Sequence, residues 1–302
     1  MMNNPWKDLD NYKMKRVSSK GKFDIYWLKD LKGNYCLNFR IENAFKNFKS
    51  VETKELKTSF SDDNLVIILK DSSNWEIFKV FCDDLVLSSE ELLDSNKISP
   101  KLYSRINEWK DLLQGKLRKI LSLEEQMGLF SEVLTLKELI LTNSGNINSW
   151  RGPDKDSQDF LCNNCSIEVK SCLSSKRRLA TISSKYQLET EKKNLFMIFY
   201  SLTKTEKGLN LKQLIDETLK LIKIESDRTI FLKKLLELGY SFEETEYFSF
   251  IVDSKTYFDI NENFPKLISS NIDNEIVEVK YKIDLSLCNE FLINEKKVLE
   301  EL

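Results

Sequence analysis

The sequence of 302 residues contains no histidine, so the side chain most often used in catalysis near neutral pH is absent. This absence excludes Ser-His-Asp triads, Cys-His proteases, HExxH zinc sites and histidine-based nucleases. Any catalysis must therefore use carboxylates, lysine, cysteine, tyrosine or a metal ion held by oxygen ligands.

Glycine and proline are also scarce, with 8 and 4 residues, while apolar residues make up 41% of the chain. This composition excludes a disordered or linker-dominated protein. The longest apolar run, around Leu195 to Leu202, has about eight residues, too few for a transmembrane helix. The first residues lack the apolar core of a signal peptide, and the six cysteines are scattered. We therefore expect a reduced, cytoplasmic protein with no membrane partner.

Neither sign of charge dominates the sequence, because 46 Lys and Arg residues are balanced by 48 Asp and Glu residues. The net charge of −2 provides no global positive field that would attract nucleic acid, so any such attraction must be local. The chain length predicts roughly two domains, each able to bury a core without disulfides.

Three regions differ in their hydrophobic pattern. Residues 1–86 predict a β-rich module, because the short runs FDIYWL, YCLNFRI, LVIILK and WEIFKVF are separated by turn residues. Residues 87–225 predict a helical bridge over 88–114, followed by a core in which helix, hairpin, strand, helix, strand and helix alternate. Residues 226–302 predict an α+β extension with strands in YFSFIV, TYFDI and EIVEVKYKIDL, after a helix that Gly239 would end.

Two adjacent asparagines, Asn163 and Asn164, predict the turn of a β-hairpin within residues 150–172, because Asn tolerates the positive φ of a type I′ turn. This turn would place Asp159 opposite Glu168, with Cβ atoms about 4.5–5.5 Å apart. Like charges in this arrangement destabilise a sheet unless something compensates them. A divalent cation with oxygen ligands is the usual compensation.

Lys170 follows Glu168 by two residues and therefore lies on the same face of the predicted strand. A Mg²⁺ ion at the carboxylates would lower the pKa of a water molecule and stabilise charge on a phosphate. The Lys170 ammonium would orient the nucleophile or neutralise the transition state. The hairpin therefore predicts phosphodiester hydrolysis with Mg²⁺, for which Mn²⁺ is the expected substitute.

The predicted helix before the hairpin contains an acidic residue in its apolar stripe. Glu132 falls between the angular positions of Leu136 and Leu139. A buried carboxylate needs a partner, so we expect Glu132 to pair with another group, and a salt bridge at the rim of the core is one such pairing. Glu125 lies nearly on the same line, but Ser122 and Glu125 form a capping-box pattern that explains it.

A local basic cluster follows the hairpin, since residues 168–193 contain seven basic and three acidic side chains. We expect the cluster to contact phosphate groups beside the site, and a solvated strand end is the alternative. The candidate contacts are Lys176, Arg177, Arg178 and Lys185.

The pattern D-x8-E-x-K, formed by Asp159, Glu168 and Lys170, resembles the PD-(D/E)xK nucleases. The segments GLFSEVLTL, WRGP, DF, IEVKS and RRLATISSKYQL, in this order, resemble the prokaryotic PD-(D/E)xK motif protein family associated with restriction and phage-defence gene clusters. GYSFEETEYFSFIV and NFPKLI extend the resemblance over most of the chain. One departure is Gln158, which stands where proline would precede Asp159, whereas the dipeptide Pro153-Asp154 lies five residues earlier.

The resemblance implies an α/β (α+β) fold, in which a restriction-endonuclease-like core with a mixed sheet flanked by helices carries the N-terminal β-rich module and the C-terminal α+β extension. It implies a Mg²⁺-dependent DNA endonuclease in a restriction or phage-defence system, with Asp159, Glu168 and Glu132 at the metal and Lys170 beside the water. Gln187 resembles the family's supporting helix glutamine, although Ser184 and Gln187 also form a capping-box pattern.

Partners implied by the resemblance are DNA, helicase, ATPase or methyltransferase subunits of a defence cluster, and a second copy of the chain. Two alternatives remain open at this stage. One is a non-catalytic component that binds DNA or protein, and the other is an RNA nuclease on the same core.

A second match to the E-x-K pattern, Glu278 to Lys280, lacks a preceding hairpin aspartate and an acidic helix. We interpret it as an alternating strand with a solvated face. The pair Cys162 and Cys165 has no second cysteine pair or histidine with which to complete a zinc site.

Overall fold

The computed structural model describes residues 2–18, 22–90, 92, 97–115, 120–154, 156–242, 247–273 and 275–302, with the side chains of 111–115 excepted. Parts of the predicted helical segment 88–114, and residues 243–246 of the family-like segment 239–252, lie outside this description. Contacts divide the chain into two compact units, one of Met1–Lys119 with Ile224–Glu244 and one of Ile120–Lys223 with Thr245–Leu302.

The first unit contains an antiparallel sheet of five strands in the order β1-β2-β3-β5-β4. The strands are β1 (Met14–Arg16), β2 (Asp24–Lys29), β3 (Tyr35–Arg40), β4 (Leu56–Ser61) and β5 (Asn64–Leu69). The β-rich character expected of residues 1–86 is present up to Leu69, and in β2 and β5 buried residues alternate with less buried ones, which gives each of these strands one buried face.

The segment WEIFKVF is not a strand, and that part of the sequence prediction was wrong. It begins helix α1 (Trp75–Glu90), in which Ile77, Phe81 and Leu85 are buried at helical spacing. Seven residues with apolar side chains on both faces satisfy either periodicity, so the short window did not distinguish the two structures.

Helices α2 (Ile98–Gly115) and α5 (Glu225–Glu237) both pack against α1. The packing of α5 explains why 224–244 belongs to the first unit, although the hydrophobic pattern suggested boundaries near 87 and 225. Local patterns cannot detect a segment that returns to an earlier part of the chain. Gly239 follows α5 with a φ of 92°, as predicted for the residue that ends this helix.

The second unit contains a mixed sheet of five strands in the order β12-β10-β9-β7-β6, and strands β7 and β9 run parallel. Its strands are β6 (Phe160–Leu161), β7 (Cys165–Leu173), β9 (Asn194–Asn210), β10 (Ser249–Asp259) and β12 (Leu292–Ile293). Strands β8 (Leu179–Ile182) and β11 (Tyr281–Asp284) form a separate pair. Helices α3 (Leu123–Leu141), α4 (Leu211–Leu221) and α6 (Glu295–Glu301) flank the mixed sheet.

Strand β9 is the centre of this sheet and is buried from Leu195 to Leu202. This burial on both faces explains its continuous apolar run, as predicted. Helix α3 packs against β7 and β9, and the capping box predicted for Ser122 and Glu125 starts it. The fold class inferred from the sequence, a mixed sheet flanked by helices with a β-rich module, is confirmed.

Two details of the second unit differ from the sequence prediction. Residues 184–188 form turns where a helix was expected between β8 and β9. Residues 276–280 belong to no strand, and β11 begins only at Tyr281. No helix in the described part of the chain combines the length and apolar character needed to cross a membrane.

Candidate active site

The predicted hairpin is present. Strands β6 and β7 pair antiparallel with Phe160 opposite Ile167 and Leu161 opposite Ser166. The amide of Cys162 donates to the carbonyl of Cys165 at 2.9 Å, which closes the two-residue turn. The register inferred from the two asparagines is confirmed for these pairs.

Asp159 immediately precedes β6 and is held at its backbone and at its side chain. Its carbonyl accepts hydrogen bonds from the amides of Arg151 at 2.7 Å and Gly152 at 3.1 Å. Its Oδ2 atom accepts from the amide of Val169 at 2.7 Å. The Asp159 carboxylate is therefore bonded across the hairpin to the residue that follows Glu168.

Glu168 lies at the centre of β7, and its exposed fraction is 0%. Its Oε1 atom lies 2.5 Å from Lys170 Nζ and accepts a hydrogen bond from Gln187 Nε2 at 2.6 Å. Its Oε2 atom is buried and has no hydrogen-bond partner within the described residues. A buried oxygen without a partner is costly, so this atom identifies a position for an absent ligand.

Glu132 projects from α3, and its Oε2 atom accepts a hydrogen bond from Trp150 Nε1 at 2.8 Å. A Cβ atom added to Gly152 would lie 2.6 Å from Glu132 Oε2 and 3.3 Å from Asp159 Oδ1. Both carboxylates therefore converge on Gly152, where any larger residue would displace them. The WRGP segment contributes to the family resemblance, but nothing in the sequence indicated a role for Trp150 or Gly152.

The carboxyl groups of the site share one environment, and their pKa values are shifted in the same direction. Burial and the neighbouring Asp159 carboxylate raise the pKa of Glu132 to about 8. Burial also raises the pKa of Asp159, and burial together with the Asp159 charge raises that of Glu168 well above its ordinary value. Burial alone would lower the pKa of Lys170, but the charges of Glu168 and Asp159 raise it, so this ammonium stays charged.

Gln158 explains the departure from proline before Asp159. Its Nε2 atom donates to the carbonyls of Tyr186 at 3.1 Å, Gln187 at 3.3 Å and Glu189 at 2.6 Å. A proline side chain has no donor for this contact. Gln158 therefore ties the Asp159 segment to the turn that carries Gln187, a role that the sequence analysis did not find.

Gln187 reaches the site from a turn. Its Oε1 atom accepts from the amide of Ser183 at 2.9 Å, and this contact leaves Nε2 directed at Glu168. Residues 184–188 are not helical, so the capping-box interpretation of Ser184 and Gln187 was wrong. The structure instead brings Gln187 together with the other predicted site residues.

The site offers carboxylate oxygens, which are the ligands that Mg²⁺ prefers. No three His, Cys, Asp or Glu side chains among the described residues are placed closely enough to enclose an ion by themselves. Mg²⁺ commonly takes one or two protein carboxylates and keeps several waters, so it does not require such an enclosure. Asp159 and the unpartnered oxygen of Glu168 fit this requirement, and Glu132 lies close to Asp159 at Gly152.

The predicted DNA contacts occupy different environments. The Arg177 guanidinium pairs with Asp284. Arg178 donates to Thr256 Oγ1 at 2.6 Å, and its guanidinium carbon lies 5.4 Å from the centre of the Phe199 ring. Packing therefore holds Arg178, whereas Lys176 is exposed.

Lys176, Arg177 and Arg178 are also distant from the candidate active site. Strand β7 ends at Leu173, about 16 Å beyond Glu168 at about 3.3 Å per residue, and Lys176 follows it. Lys185 is closer, because it lies two residues from Gln187 on the same turn. Lys185 therefore belongs to the turn that carries Gln187, whereas residues 176–178 follow the far end of β7.

The second E-x-K match, Glu278 to Lys280, lacks the strand and the burial that characterise Glu168. Residues 276–280 are not part of a strand, and the exposed fraction of Val277 is 99%. The interpretation of this segment as a strand was wrong, although its solvated character is present.

A family model described as "Putative PD-(D/E)XK family member, (DUF4420)" matches residues 2–286. Searches among curated proteins and among solved structures found no match. The family match covers both units and includes every residue of the candidate site.

Proposed function

Because the chain belongs to the DUF4420 family of PD-(D/E)XK proteins, we propose that it is a Mg²⁺-dependent DNA endonuclease that hydrolyses phosphodiester bonds. The observation that carries this proposal is the buried Glu168 carboxylate. One of its oxygens binds Lys170 and Gln187, and the other has no partner among the described residues. A carboxylate held in this way is organised for a ligand that the protein itself does not supply.

Asp159 and Glu168 would hold the metal ion, and Glu132 would join them through water. When bound, the ion supplies a water of lowered pKa and positive charge beside the phosphate. The choice of direct ligands follows from the contacts, because Glu132 Oε2 already accepts a hydrogen bond from Trp150, whereas Glu168 Oε2 has no partner among the described residues. Mn²⁺ would substitute for Mg²⁺, because both accept oxygen ligands.

Lys170 would position the attacking water and balance charge on the phosphate. Its ammonium stays protonated, so it donates hydrogen bonds and does not act as a base. Gln187 donates to Oε1 of Glu168, the same oxygen that Lys170 contacts, and its own amide oxygen accepts from the amide of Ser183. The two contacts together set the orientation of the Glu168 side chain before substrate binds.

The wider context of the proposal rests on the resemblance to restriction and phage-defence proteins. We place the protein in the reducing cytoplasm, which suits its six free thiols. DNA is its proposed partner, and helicase, ATPase or methyltransferase subunits and a second copy of the chain are further proposed partners. Lys185, beside the site, and the exposed Lys176 are the basic residues proposed to contact phosphate.

Plasmid cleavage tests the proposal. Supercoiled plasmid, methylated and unmethylated, is incubated with purified protein in Mg²⁺, Mn²⁺ or chelator, and relaxed and linear products are measured. We expect metal-dependent cleavage by the wild type and at least about a 100-fold loss in Asp159→Ala, Glu168→Ala and Lys170→Ala. Glu278→Ala is the matched control for the second E-x-K match, and it should cleave like wild type. Equal cleavage by wild type and Glu168→Ala would contradict the proposal.

A further inference from the structure

A groove of about 710 Å³ opens beside the candidate active site. This volume is typical of a site for one small molecule or nucleotide. Its lining residues are Arg151, Asp156, Ser157, Gln158, Leu161, Tyr186, Glu189, Thr190, Glu191 and Lys192. All of them belong to the second unit.

The groove is continuous with the site along the chain. Gln158 lines it and directly precedes Asp159, and Tyr186 lines it and directly precedes Gln187. Consecutive Cα atoms are about 3.8 Å apart, so the groove residues are immediate neighbours of the residues that hold Glu168 and the metal position. A molecule bound in the groove would therefore lie next to the phosphate that the site cleaves.

The charged and polar side chains of the groove mostly bind each other or neighbouring protein groups. Arg151 pairs with Asp156 at 2.7 Å, and Glu189 accepts hydrogen bonds from the amide and hydroxyl of Ser269, both at 2.6 Å. Lys192 donates to the carbonyl of Asn163 at 3.2 Å. With three acidic and two basic residues, the groove does not form a positive track for a phosphate backbone.

Large apolar surfaces, by contrast, are open in the groove. The exposed fraction is 50% for Tyr186 and 39% for Leu161. The Lys185 ammonium lies 5.3 Å from the centre of the Tyr186 ring, so a positive charge accompanies the exposed aromatic side chain. Unpaired bases bind by stacking on aromatic rings, and Lys185, which is not among the residues that line the groove, supplies a positive charge next to this ring.

We propose that this groove binds an unpaired DNA base next to the phosphodiester that is cleaved. Bases inside a duplex are stacked and paired, so only an unpaired or extruded nucleotide could contact Tyr186. The preferred substrate would accordingly be single-stranded DNA or DNA with a flap, gap or distortion at the cleavage position. The proposal deepens the proposed endonuclease function and rests on it for the statement about cleavage, but the binding itself can be measured separately.

Fluorescence binding with the full-length protein in chelator tests the groove without cleavage. The probe is a DNA oligonucleotide with one 2-aminopurine, used as a single strand and as the same sequence in a duplex. We expect tighter binding of the single strand, with quenched fluorescence. Tyr186→Ala should weaken single-strand binding by about 5- to 150-fold and leave duplex binding unchanged. Tyr186→Phe, which keeps the ring, should bind within about twofold of wild type.

Two leucine variants and a cleavage assay distinguish the possible outcomes for the groove from those for the proposed endonuclease function. Leu161→Ala should weaken single-strand binding, whereas Leu287→Ala, which removes another exposed leucine of the second unit, should not. Equal effects of Tyr186→Ala on single strand and duplex, no effect on either, or tighter binding of RNA than of DNA would overturn the proposal. If the binding pattern holds but no substrate is cut in Mg²⁺, the groove assignment stands and the proposed endonuclease function fails.

Discussion

Lys170 Nζ lies 2.5 Å from Glu168 Oε1, and these two residues project from the same face of strand β7. The contact leaves Glu168 Oε2 buried and without a partner among the described residues. The ion pair therefore fixes the carboxylate but does not satisfy it, and the cost of the unpaired oxygen is the physical reason to expect a bound cation.

The first prediction concerns Gly152, which lies close to two carboxylates. Gly152→Ala should reduce metal-dependent cleavage by about 100-fold, because the new Cβ would force Glu132 Oε2 from its position 2.6 Å away. The atom that must move is the end of a flexible side chain, so the variant should keep a melting temperature near that of wild type. Cleavage rates and thermal melts check both expectations.

Gly128→Ala is the matched control. Gly128 lies within α3, and a Cβ atom there would have nothing within 4 Å. This variant should keep full activity and gain up to about 1 kcal/mol of stability, because alanine favours a helix over glycine. If Gly152→Ala cleaved like Gly128→Ala, the convergence of Glu132 and Asp159 on Gly152 would have no role in activity.

The second prediction follows from the raised pKa of Glu132. Its pKa of about 8 exceeds that of an ordinary glutamate, so the folded, metal-free protein binds more protons than the unfolded chain between about pH 4.5 and 8. The stability from this group is full below that window and is lost as the pH rises through it. Thermal melts in chelator should show a falling melting temperature between pH 6.5 and 8.5, and Glu132→Gln should reduce the slope.

The same protons compete with the metal. Mg²⁺ binds deprotonated carboxylates, so its effect on the melting temperature should grow as the pH rises from 6.5 to 8.5. The measurement starts at pH 6.5 because burial also raises the pKa of Asp83, in the first unit, to about 6. A pH slope in Glu132→Gln as steep as that of wild type would contradict the assignment.

The third prediction concerns Arg178 and Lys176, two basic residues in different environments. Arg178→Ala should destabilise the protein by about 1–3 kcal/mol, because it removes the hydrogen bond to Thr256 and the contact with the Phe199 ring. Lys176→Ala, at an exposed position two residues earlier, should change stability by less than about 0.5 kcal/mol. Urea unfolding of both variants tests this, and equal stabilities would show that the Arg178 contacts contribute nothing.

The sequence predicted the hairpin and its carboxylates because their positions follow from a two-residue turn and strand alternation, both local rules. It also located Glu132, since one acidic residue in an apolar helical stripe is visible in the periodicity. Its failures have physical reasons. WEIFKVF satisfies helix and strand patterns alike, and the return of α5 to α1 depends on contacts distant in the chain.

Trp150, Gly152 and Gln158 were missed for a related reason. Each acts through a partner more than ten residues away: Glu132 for Trp150 and Gly152, and the turn at 186–189 for Gln158. Only the departure from proline at Gln158 gave a signal in the sequence. Arg178 shows the same limit, because a basic run does not reveal which of its members packs inward.

The most direct test of the central claim, that Asp159 and Glu168 together hold a divalent ion, is thermal melting of wild type and Asp159→Asn with and without Mg²⁺. Without metal, Asp159→Asn should be as stable as wild type or more stable by up to about 1 kcal/mol, because the change relieves repulsion and an asparagine oxygen still accepts from the Val169 amide. Mg²⁺ at about tenfold above its Kd should raise the melting temperature of wild type by about 2 °C or more and leave that of the variant unchanged. A variant that is clearly destabilised without metal and that responds to Mg²⁺ like wild type would contradict the claim and make Asp159 a structural residue.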